Sequence, residues 1–349
     1  MKKIVIALIV IITLLTLLGC SSEYKIIEGD TNFIYSAHWQ GQLIKYDLAN
    51  KKATIACPDP MCEHGEDCLV SNVSDDICVS EDYIMFKSGA WAQALYCYDL
   101  KKGVIEKVMD YTSCQSVGIY DNFAFFSAAH MIYDDEGKPI RKEWYPYKYD
   151  MAKKKLTKLS DKPLNTEKGI LPFGIDDNKI LWRDGNGETF ATDFNFNEKS
   201  WEYTPMLIGD YIYSNNAEYQ EDGSFYWNFS RTHISDGTVE EVIHAAFSYR
   251  LDNDDNPTGI LFNTFHNGSD GNTLYRVKFD DLSVEELCDI PDGYLLSELY
   301  TAFGSRLYSG DYVGVYVHPE NAEESNFENL GDTMLFVNVK TKEYFILAP

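Results

Sequence analysis

The feature that most constrains the fold is an internal repeat. A unit of about 47 residues recurs seven times between residues 20 and 349. In its clearest form, a short apolar strand and a variable loop lead to a second strand of the type Tyr-x-Tyr-Asp-Leu. A Lys/Gly/Asn turn and a final strand complete the unit. The three clearest copies pair Phe33–Tyr35 with Leu43–Leu48, Ile84–Phe86 with Leu95–Leu100, and Phe123–Phe126 with Pro146–Met151. Later copies are more degenerate and open at Ile180, Tyr211, Ile260 and Arg306.

A further short strand precedes each copy. Examples are Tyr24–Ile27, Ile77–Ser80, Val117–Tyr120 and Ser248–Leu251. Four antiparallel strands per repeat of this length form the blade of a β-propeller. The sequence therefore predicts an all-β fold, a β-propeller with seven four-stranded blades. A β-sandwich or a β-solenoid is the alternative, and six or eight blades stay open because the middle copies are weak.

The N-terminal segment has the pattern of a lipoprotein signal peptide. Lys2 and Lys3 precede an apolar run, Ile4–Leu18, that suits a signal peptide and is short for a transmembrane helix. The run ends in Leu-Leu-Gly-Cys, which matches the bacterial lipobox. We expect residues 1–19 to be removed, Cys20 to carry lipid such as palmitate, and residues 20–349 to form a single propeller domain. An ordinary signal peptide with a chance cysteine, or an uncleaved anchor, is the alternative.

The predicted lipid indicates where the protein is located, and the net charge of the chain limits the partners that it can bind. The chain would be held at the cell membrane, facing the extracellular side, through Cys20. It has 55 acidic and 30 basic residues, for a formal charge of −25. Because nucleic-acid binding needs a basic surface, the charge argues against nucleic acid as a partner. A protein or a carbohydrate is the ligand class that we expect.

A cysteine-rich loop is the most distinctive local feature. Cys57, Cys62, His64 and Cys68 lie within twelve residues. Three thiolates and one imidazole make a complete tetrahedral set for zinc or another soft metal, although this spacing is not a standard zinc motif. Outside the cell a disulfide is the more common use of cysteine. Lipidation of Cys20 would leave seven cysteines, an odd number. A disulfide, a metal site and free thiols without a role all remain open, and no other cofactor is predicted.

The loop follows the last strand of one blade and precedes the first strand of the next. In a propeller, such connections lie on the same side as the loops between the second and third strands of each blade. We expect that side to gather aromatic, His and Cys groups as a ligand-binding face. The alternative is that these residues only pack blade edges. The candidate residues are His38, Trp39, Trp91, His130, Asp184, His266 and Tyr312.

The lipobox, the Tyr-x-Tyr-Asp-Leu repeats and the cysteine-rich loop together resemble a group of β-propeller lipoproteins of Gram-positive anaerobes with a domain of unknown function. Their propeller is similar to that of TolB. The resemblance implies a fold and a location, and it supplies no catalytic residues. An anaerobic host would make disulfide formation less assured.

The sequence contains no Gly-x-Ser-x-Gly, His-Glu-x-x-His or phosphate-binding glycine loop. This favours a non-catalytic module, anchored at the membrane, that binds a ligand or a protein. One alternative is an extracellular carbohydrate-active enzyme that uses carboxylates in the central funnel. Another is a protein that binds or senses metal through Cys57–Cys68.

Overall fold

Seven antiparallel β-sheets follow one another along the chain in the computed structural model. The structure describes residues 33–37, 41–89, 94–110, 117–176, 178–200, 207–219, 225–246, 248–252, 257–263, 273–296, 299, 307–320 and 333–348. All of these belong to the unit Thr31–Pro349. The signal peptide, Cys20 and the expected strand Tyr24–Ile27 lie outside the described residues. Among the residues described, no helix has the length and apolar character needed to cross a membrane.

Each sheet consists of strands that are consecutive in the sequence. The first sheet contains β1 (Phe33–Ala37), β2 (Leu43–Asp47) and β3 (Lys52–Ile55), and the second contains β4 (Val73–Val79), β5 (Tyr83–Ser88), β6 (Ala94–Asp99) and β7 (Val104–Met109). The third sheet contains β8 (Gly118–Tyr120), β9 (Phe123–Tyr133), β10 (Pro139–Asp150) and β11 (Lys155–Lys158). The fourth sheet contains β12 (Ile170–Asp176), β13 (Lys179–Asp184), β14 (Thr189–Thr192) and β15 (Glu198–Lys199). A short 3-10 helix, Leu69–Ser71, precedes β4.

The fifth sheet contains β16 (Leu207–Ile208), β17 (Tyr211–Tyr219), β18 (Phe225–His233) and β19 (Val239–Ala246). The sixth sheet contains β20 (Ser248–Leu251), β21 (Gly259–Asn263), β22 (Thr273–Lys278) and β23 (Val284–Asp289). The seventh sheet contains β24 (Tyr294–Leu296), β25 (Tyr308–Ser309), β26 (Tyr312–Pro319), β27 (Met334–Asn338) and β28 (Tyr344–Leu347). In the seventh sheet, β24 and β25 both pair with β26, at opposite ends of that strand. The seven sheets are the blades of a seven-bladed β-propeller, which confirms the predicted fold class and blade count.

The blades are held together by apolar side chains that pack between neighbouring sheets. Met85 and Leu95 of the second blade share a buried cluster with Phe126 and Tyr147 of the third blade. Such packing buries both faces of a sheet, and apolar area removed from water stabilises a fold by about 25 cal/mol per Å². Strands with two buried faces therefore show long apolar runs, as in β5, in which every residue is buried.

The ring closes where the last blade packs against the first. Ile44 and Tyr46 on β2 share a buried cluster with Met334 and Phe336 on β27. The rings of Tyr46 and Phe336 lie 5.3 Å apart between centroids, at an interplanar angle of 55°. Both side chains are completely buried. This contact joins residues from the two ends of the described chain.

The aspartate of the Tyr-x-Tyr-Asp-Leu repeat forms the turn between the third and fourth strands of a blade. Asp47 Oδ1 accepts a hydrogen bond from the Asn50 amide at 3.0 Å, and Asp99 Oδ1 accepts one from the Lys102 amide at 3.0 Å. Asp150 accepts the equivalent bond from Lys153. Short polar side chains that bind backbone amides in this way favour turns over continued strands. These three copies are recognisable in the sequence because each has the same turn.

The propeller has two sides, which we name by their connections. The turn side carries these turns between third and fourth strands. The hairpin side carries the connections between second and third strands and those from one blade to the next. In the described part of the chain, the hairpins β9–β10 and β17–β18 have the longest strands and extend the hairpin side.

The length of β9 differs from the sequence prediction, which ended this strand at Phe126. Pairing of β9 with β10 continues to Tyr133 opposite Pro139. A turn closes the hairpin, with the Gly137 amide donating to the Asp134 carbonyl at 3.0 Å and a φ of 78° at Gly137. The alanines and apolar residues beyond Phe126 favour continued pairing, and a polar turn follows only at Asp134.

The turn aspartates predict a specific pH dependence of stability. Burial acts to raise the pKa of Asp99, but hydrogen bonds from Lys102 and its positive charge outweigh burial, so the pKa is lowered. Asp99→Ala should reduce the free energy of unfolding by about 1 kcal/mol at pH 7. A carboxylate with a lowered folded-state pKa stabilises fully above its unfolded pKa, about 3.9, and loses this effect as pH falls through the folded value. The stability difference between wild type and variant should therefore shrink below about pH 4.

Urea unfolding at pH 7 and at pH 3 measures this difference. Asp135→Ala, at an exposed position on the β9–β10 turn, is the control and should change stability little at either pH. A difference for Asp99→Ala that is constant or larger at pH 3 would contradict the role of the ionised carboxylate in the turn.

Candidate metal centre and ligand face

The cysteine-rich loop connects β3, the outer strand of the first blade, to β4 of the second. Its C-terminal part is fixed by hydrogen bonds to both blades. Ser88 Oγ donates to the Leu69 carbonyl at 2.6 Å, and the Gly89 amide donates to the Asn72 carbonyl at 3.1 Å. The Val73 amide donates to the Gly41 carbonyl at 2.5 Å. Because Ser88 ends β5, Gly89 follows it and Gly41 precedes β2, the loop lies on the hairpin side.

Four potential ligands converge within this loop. The ligand atoms of Cys57, Cys62, His64 and Cys68 all lie within 4.8 Å of one another. Cys68 Sγ is 3.9 Å from Cys57 Sγ and 3.8 Å from His64 Nδ1. Cys68 is buried, and the other three side chains are half-buried. The four residues that the sequence singles out as one group are therefore close together in the structure.

Two turns and one unusual backbone conformation produce this convergence. The Cys62 amide donates to the Asp59 carbonyl at 3.2 Å, and the Cys68 amide donates to the Gly65 carbonyl at 3.0 Å. Between the turns, His64 has a φ of 54°, in the left-handed region that few non-glycine residues adopt. Its amide donates to Cys62 Sγ at 3.4 Å. The chain thus folds back at His64, so that the cysteines on either side face each other.

The two interacting thiols differ in their acidity. Burial opposes ionisation of Cys68, but hydrogen bonds, above all the one with His64, outweigh it and lower the pKa to about 7. Burial is also the main effect at Cys57, where thiol contacts with Cys62 and Cys68 add to it and the pKa rises to about 11. Of the two thiols, Cys68 is the one whose ionised form is favoured by its surroundings. A set of soft donors that carries negative charge is a ligand set for a soft metal ion.

Disulfides are absent from the described part of the chain, where Cys57, Cys62, Cys68, Cys78, Cys97 and Cys288 are all free. A disulfide within Cys57–Cys68, one of the alternatives open from the sequence, is thus not formed in this structure. Cys20 and Cys114 lie outside the described residues. Cys78, Cys97 and Cys288 are buried in separate strands, and burial raises the pKa of each to about 12. These three thiols are inert packing groups.

The structure describes three of the seven residues predicted for the ligand face. His130 and Asp184 lie toward the hairpin-side ends of β9 and β13. His130 Nε2 is 2.6 Å from the Tyr147 hydroxyl, and burial lowers the pKa of His130. Asp184 Oδ1 accepts the amides of Asn186 and Glu188 at 2.8 and 2.9 Å, so it serves the turn that follows. The four residues outside the described part of the chain are His38, Trp39, Trp91 and His266.

Tyr312 does not share the hairpin side with the other candidates. It is the first residue of β26, where it pairs with Asn338 next to the β27–β28 turn. This places it on the turn side, beside an open depression of about 300 Å³ that Lys51, Lys342 and Tyr344 also line. The sequence prediction placed Tyr312 after its strand, whereas Tyr312 begins the strand.

Sequence reasoning missed the exposed apolar residues on the two long hairpins. Tyr133 and Ile140 near the end of β9–β10 are 59% and 57% exposed, and Tyr219 at the end of β17 is 76% exposed. In the first hairpin, the run Ala128–Tyr133 is a strand signal that continues past the predicted boundary. The repeat pattern indicates where each strand begins but does not predict how far the strand extends.

Comparison with known proteins gives no family match. No protein-family model and no curated protein matches the chain. Solved structures that match the chain include TolB from Acinetobacter baumannii, at 12% identity and a TM-score of 0.37 over 91% of this chain. Another is the dihydro-heme d1 dehydrogenase NirN, at 10% identity and a TM-score of 0.44 over 93% of this chain. A third is the acylaminoacyl peptidase of Pyrococcus horikoshii, at 10% identity and a TM-score of 0.49 over 92%.

The chain covers 63% of the TolB chain, 74% of the NirN chain and 54% of the peptidase chain. At these identities the neighbours carry no information about activity. The propeller assignment rests on the seven sheets themselves.

Proposed function

We propose that the chain is a membrane-anchored β-propeller lipoprotein that binds a protein partner through its hairpin side, without catalysis. The observation that carries this proposal is the presence of two long hairpins on one side of the ring, with large apolar residues near their ends. A propeller supplies a rigid base, and the loops on that base are free to specify a ligand. Binding residues are therefore expected on the side where the strands are extended.

The exposed residues on these hairpins have a composition that suits protein contact. Tyr133 and Ile140 are exposed on a hairpin that also carries exposed Arg141 and Lys142. Tyrosine and arginine are enriched at the centres of protein interfaces, and apolar residues surrounded by polar ones are a frequent feature of binding sites. A carbohydrate ligand is the alternative that the test below distinguishes.

The described carboxylates with clearly lowered pKa values have a structural role. Lowered pKa values occur at turn residues such as Asp47, Asp99 and Asp150, where hydrogen bonds to backbone and side-chain groups favour the ionised form. These carboxylates stabilise turns, and a general acid would instead require a raised pKa.

The membrane location in this proposal depends on Cys20 and its lipobox. A lipid on the Cys20 thiol and a second chain on its amine would give stable attachment. The first predicted strand begins at Tyr24, only about 10 Å of extended chain from Cys20. The propeller would therefore be held close to the membrane surface.

The anchor is tested with Cys20→Ala in cells that produce the full chain. Wild type should fractionate with membranes and partition into detergent, with a mass that reports loss of residues 1–19 and addition of acyl groups. The variant should lose the acyl mass, because the thiol is the attachment point. Cys288→Ala, which changes a buried thiol in the propeller, is the control. Unchanged acylation in Cys20→Ala would contradict the anchor.

The binding side is tested by photo-crosslinking. A photoreactive p-benzoylphenylalanine is placed at the position of Tyr133 or, as control, at that of Tyr344, which is 47% exposed on the turn side. Irradiation of cells carrying the lipidated protein should give a discrete adduct from position 133 and none from position 344. The adduct should be sensitive to protease and contain peptides of one partner. Equal adducts from both sides, or an adduct made only of glycan, would contradict the proposal.

A further inference from the structure

We propose that Cys57, Cys62, His64 and Cys68 bind one zinc ion in a closed tetrahedral site that fixes the connection between the first two blades. This inference is independent of the proposed partner-binding function, because it concerns the loop alone. The sequence leaves open a disulfide, a metal site or free thiols for these cysteines, and the proposal selects the metal site.

Two of the ligand-atom distances in the loop are close to those of a tetrahedral site, and all of them are within 4.8 Å. With Zn–S bonds of about 2.3 Å and Zn–N bonds of about 2.0–2.1 Å, neighbouring ligand atoms lie about 3.8 Å apart for two sulfurs and about 3.5 Å for sulfur and nitrogen. The observed separations are 3.9 Å between the sulfurs of Cys57 and Cys68, and 3.8 Å between Cys68 Sγ and His64 Nδ1. A disulfide requires about 2.05 Å between sulfurs, little more than half the observed distance.

The donor types select zinc over other common ions. Thiolates and imidazole suit zinc, whereas calcium and magnesium require oxygen ligands. Four protein ligands fill the tetrahedron, so no position remains for water or substrate. Such a site is structural, because a catalytic zinc keeps one position open.

The backbone around the cluster is arranged to support thiolate ligands. The His64 amide points at Cys62 Sγ, and a hydrogen bond from an amide to a ligand sulfur is a typical outer interaction of metal sites. Pro58 and Pro60 restrict the chain between the first two cysteines. The left-handed φ of His64 sets the direction of its imidazole relative to the cysteines.

The loop lacks an apolar core of its own. Between Cys57 and Cys68, the residues other than Pro58, Cys62 and His64 are all exposed, and Met61 is 85% exposed. The groups that turn toward the core of the first two blades are Cys57, Cys62 and Cys68. Small segments that cannot bury enough apolar surface are commonly stabilised by a metal or a disulfide. Zinc would supply this missing stabilisation at the seam between the two blades.

The test uses the mature chain purified with a reductant and loaded with Zn²⁺. Elemental analysis after removal of free metal should give one zinc per chain. Cys62→Ser and His64→Ala should each weaken zinc binding by at least about 100-fold in chelator competition, because loss of a ligand costs more than the roughly 10–100-fold effect of an outer partner. Cys288→Ala, a buried cysteine far along the chain, should retain one zinc with unchanged affinity.

Cobalt substitution supplies a second readout that does not depend on the variants folding. Co²⁺ added to the wild-type apo protein should give intense visible ligand-field bands and thiolate charge-transfer bands of a tetrahedral thiolate site, and one equivalent of Zn²⁺ should remove them. Apo protein should also unfold at a lower temperature than zinc-loaded protein.

Three results would overturn the proposal. The first is a wild-type chain that takes up neither Zn²⁺ nor Co²⁺ with all loop thiols open to alkylation. The second is an intact mass showing a loop disulfide that persists in the reductant. The third is zinc that remains bound at full stoichiometry when Cys62 and Cys68 are both changed to serine.

Discussion

The packing of the seventh blade against the first is the interaction on which the rest of the structure depends. Each blade is a sheet with two apolar faces, and only a neighbour on each side can bury both. The first and last blades of an open row would each expose one face. Contact of Tyr46 and Ile44 with Phe336 and Met334 removes both exposed faces at once. The closed ring then fixes the position of every loop on its two sides.

The sequence predicts this architecture well because the requirement for a turn repeats in it. Asp47, Asp99 and Asp150 each bind the amide three residues later, so the same letters recur in the first three copies. The sequence predicts the extent of β9 and the side occupied by Tyr312 less well. Periodicity marks where a strand begins, whereas its extension past the blade depends on pairing with a partner strand. The grouping of the loop cysteines follows from their proximity in sequence, but their spacing alone does not distinguish a metal site from a disulfide.

The closed ring leaves the loops as the part of the fold that is free to acquire function. On the hairpin side, the cysteine-rich loop is held by hydrogen bonds to both adjoining blades, and two long hairpins extend from the third and fifth blades. A zinc ion in the loop would stiffen one region of this side, and the exposed residues on the hairpins would contact a partner. An anchor at Cys20 would hold the same ring near the membrane. These three elements use different residues and can be tested separately.

Urea unfolding followed by thiol labelling tests the central role of ring closure most directly. Cys97 in the second blade and Cys288 in the sixth are both buried and report on distant parts of the ring. Phe336→Ala should cost about 3–5 kcal/mol and make both thiols react at the same lowered urea concentration, because loss of the closing contact affects the whole ring. Tyr344→Ala, at an exposed position, should change neither. If Phe336→Ala lowered the transition at one thiol only, as expected for an open row of repeats, closure would not be the constraint that holds the propeller together.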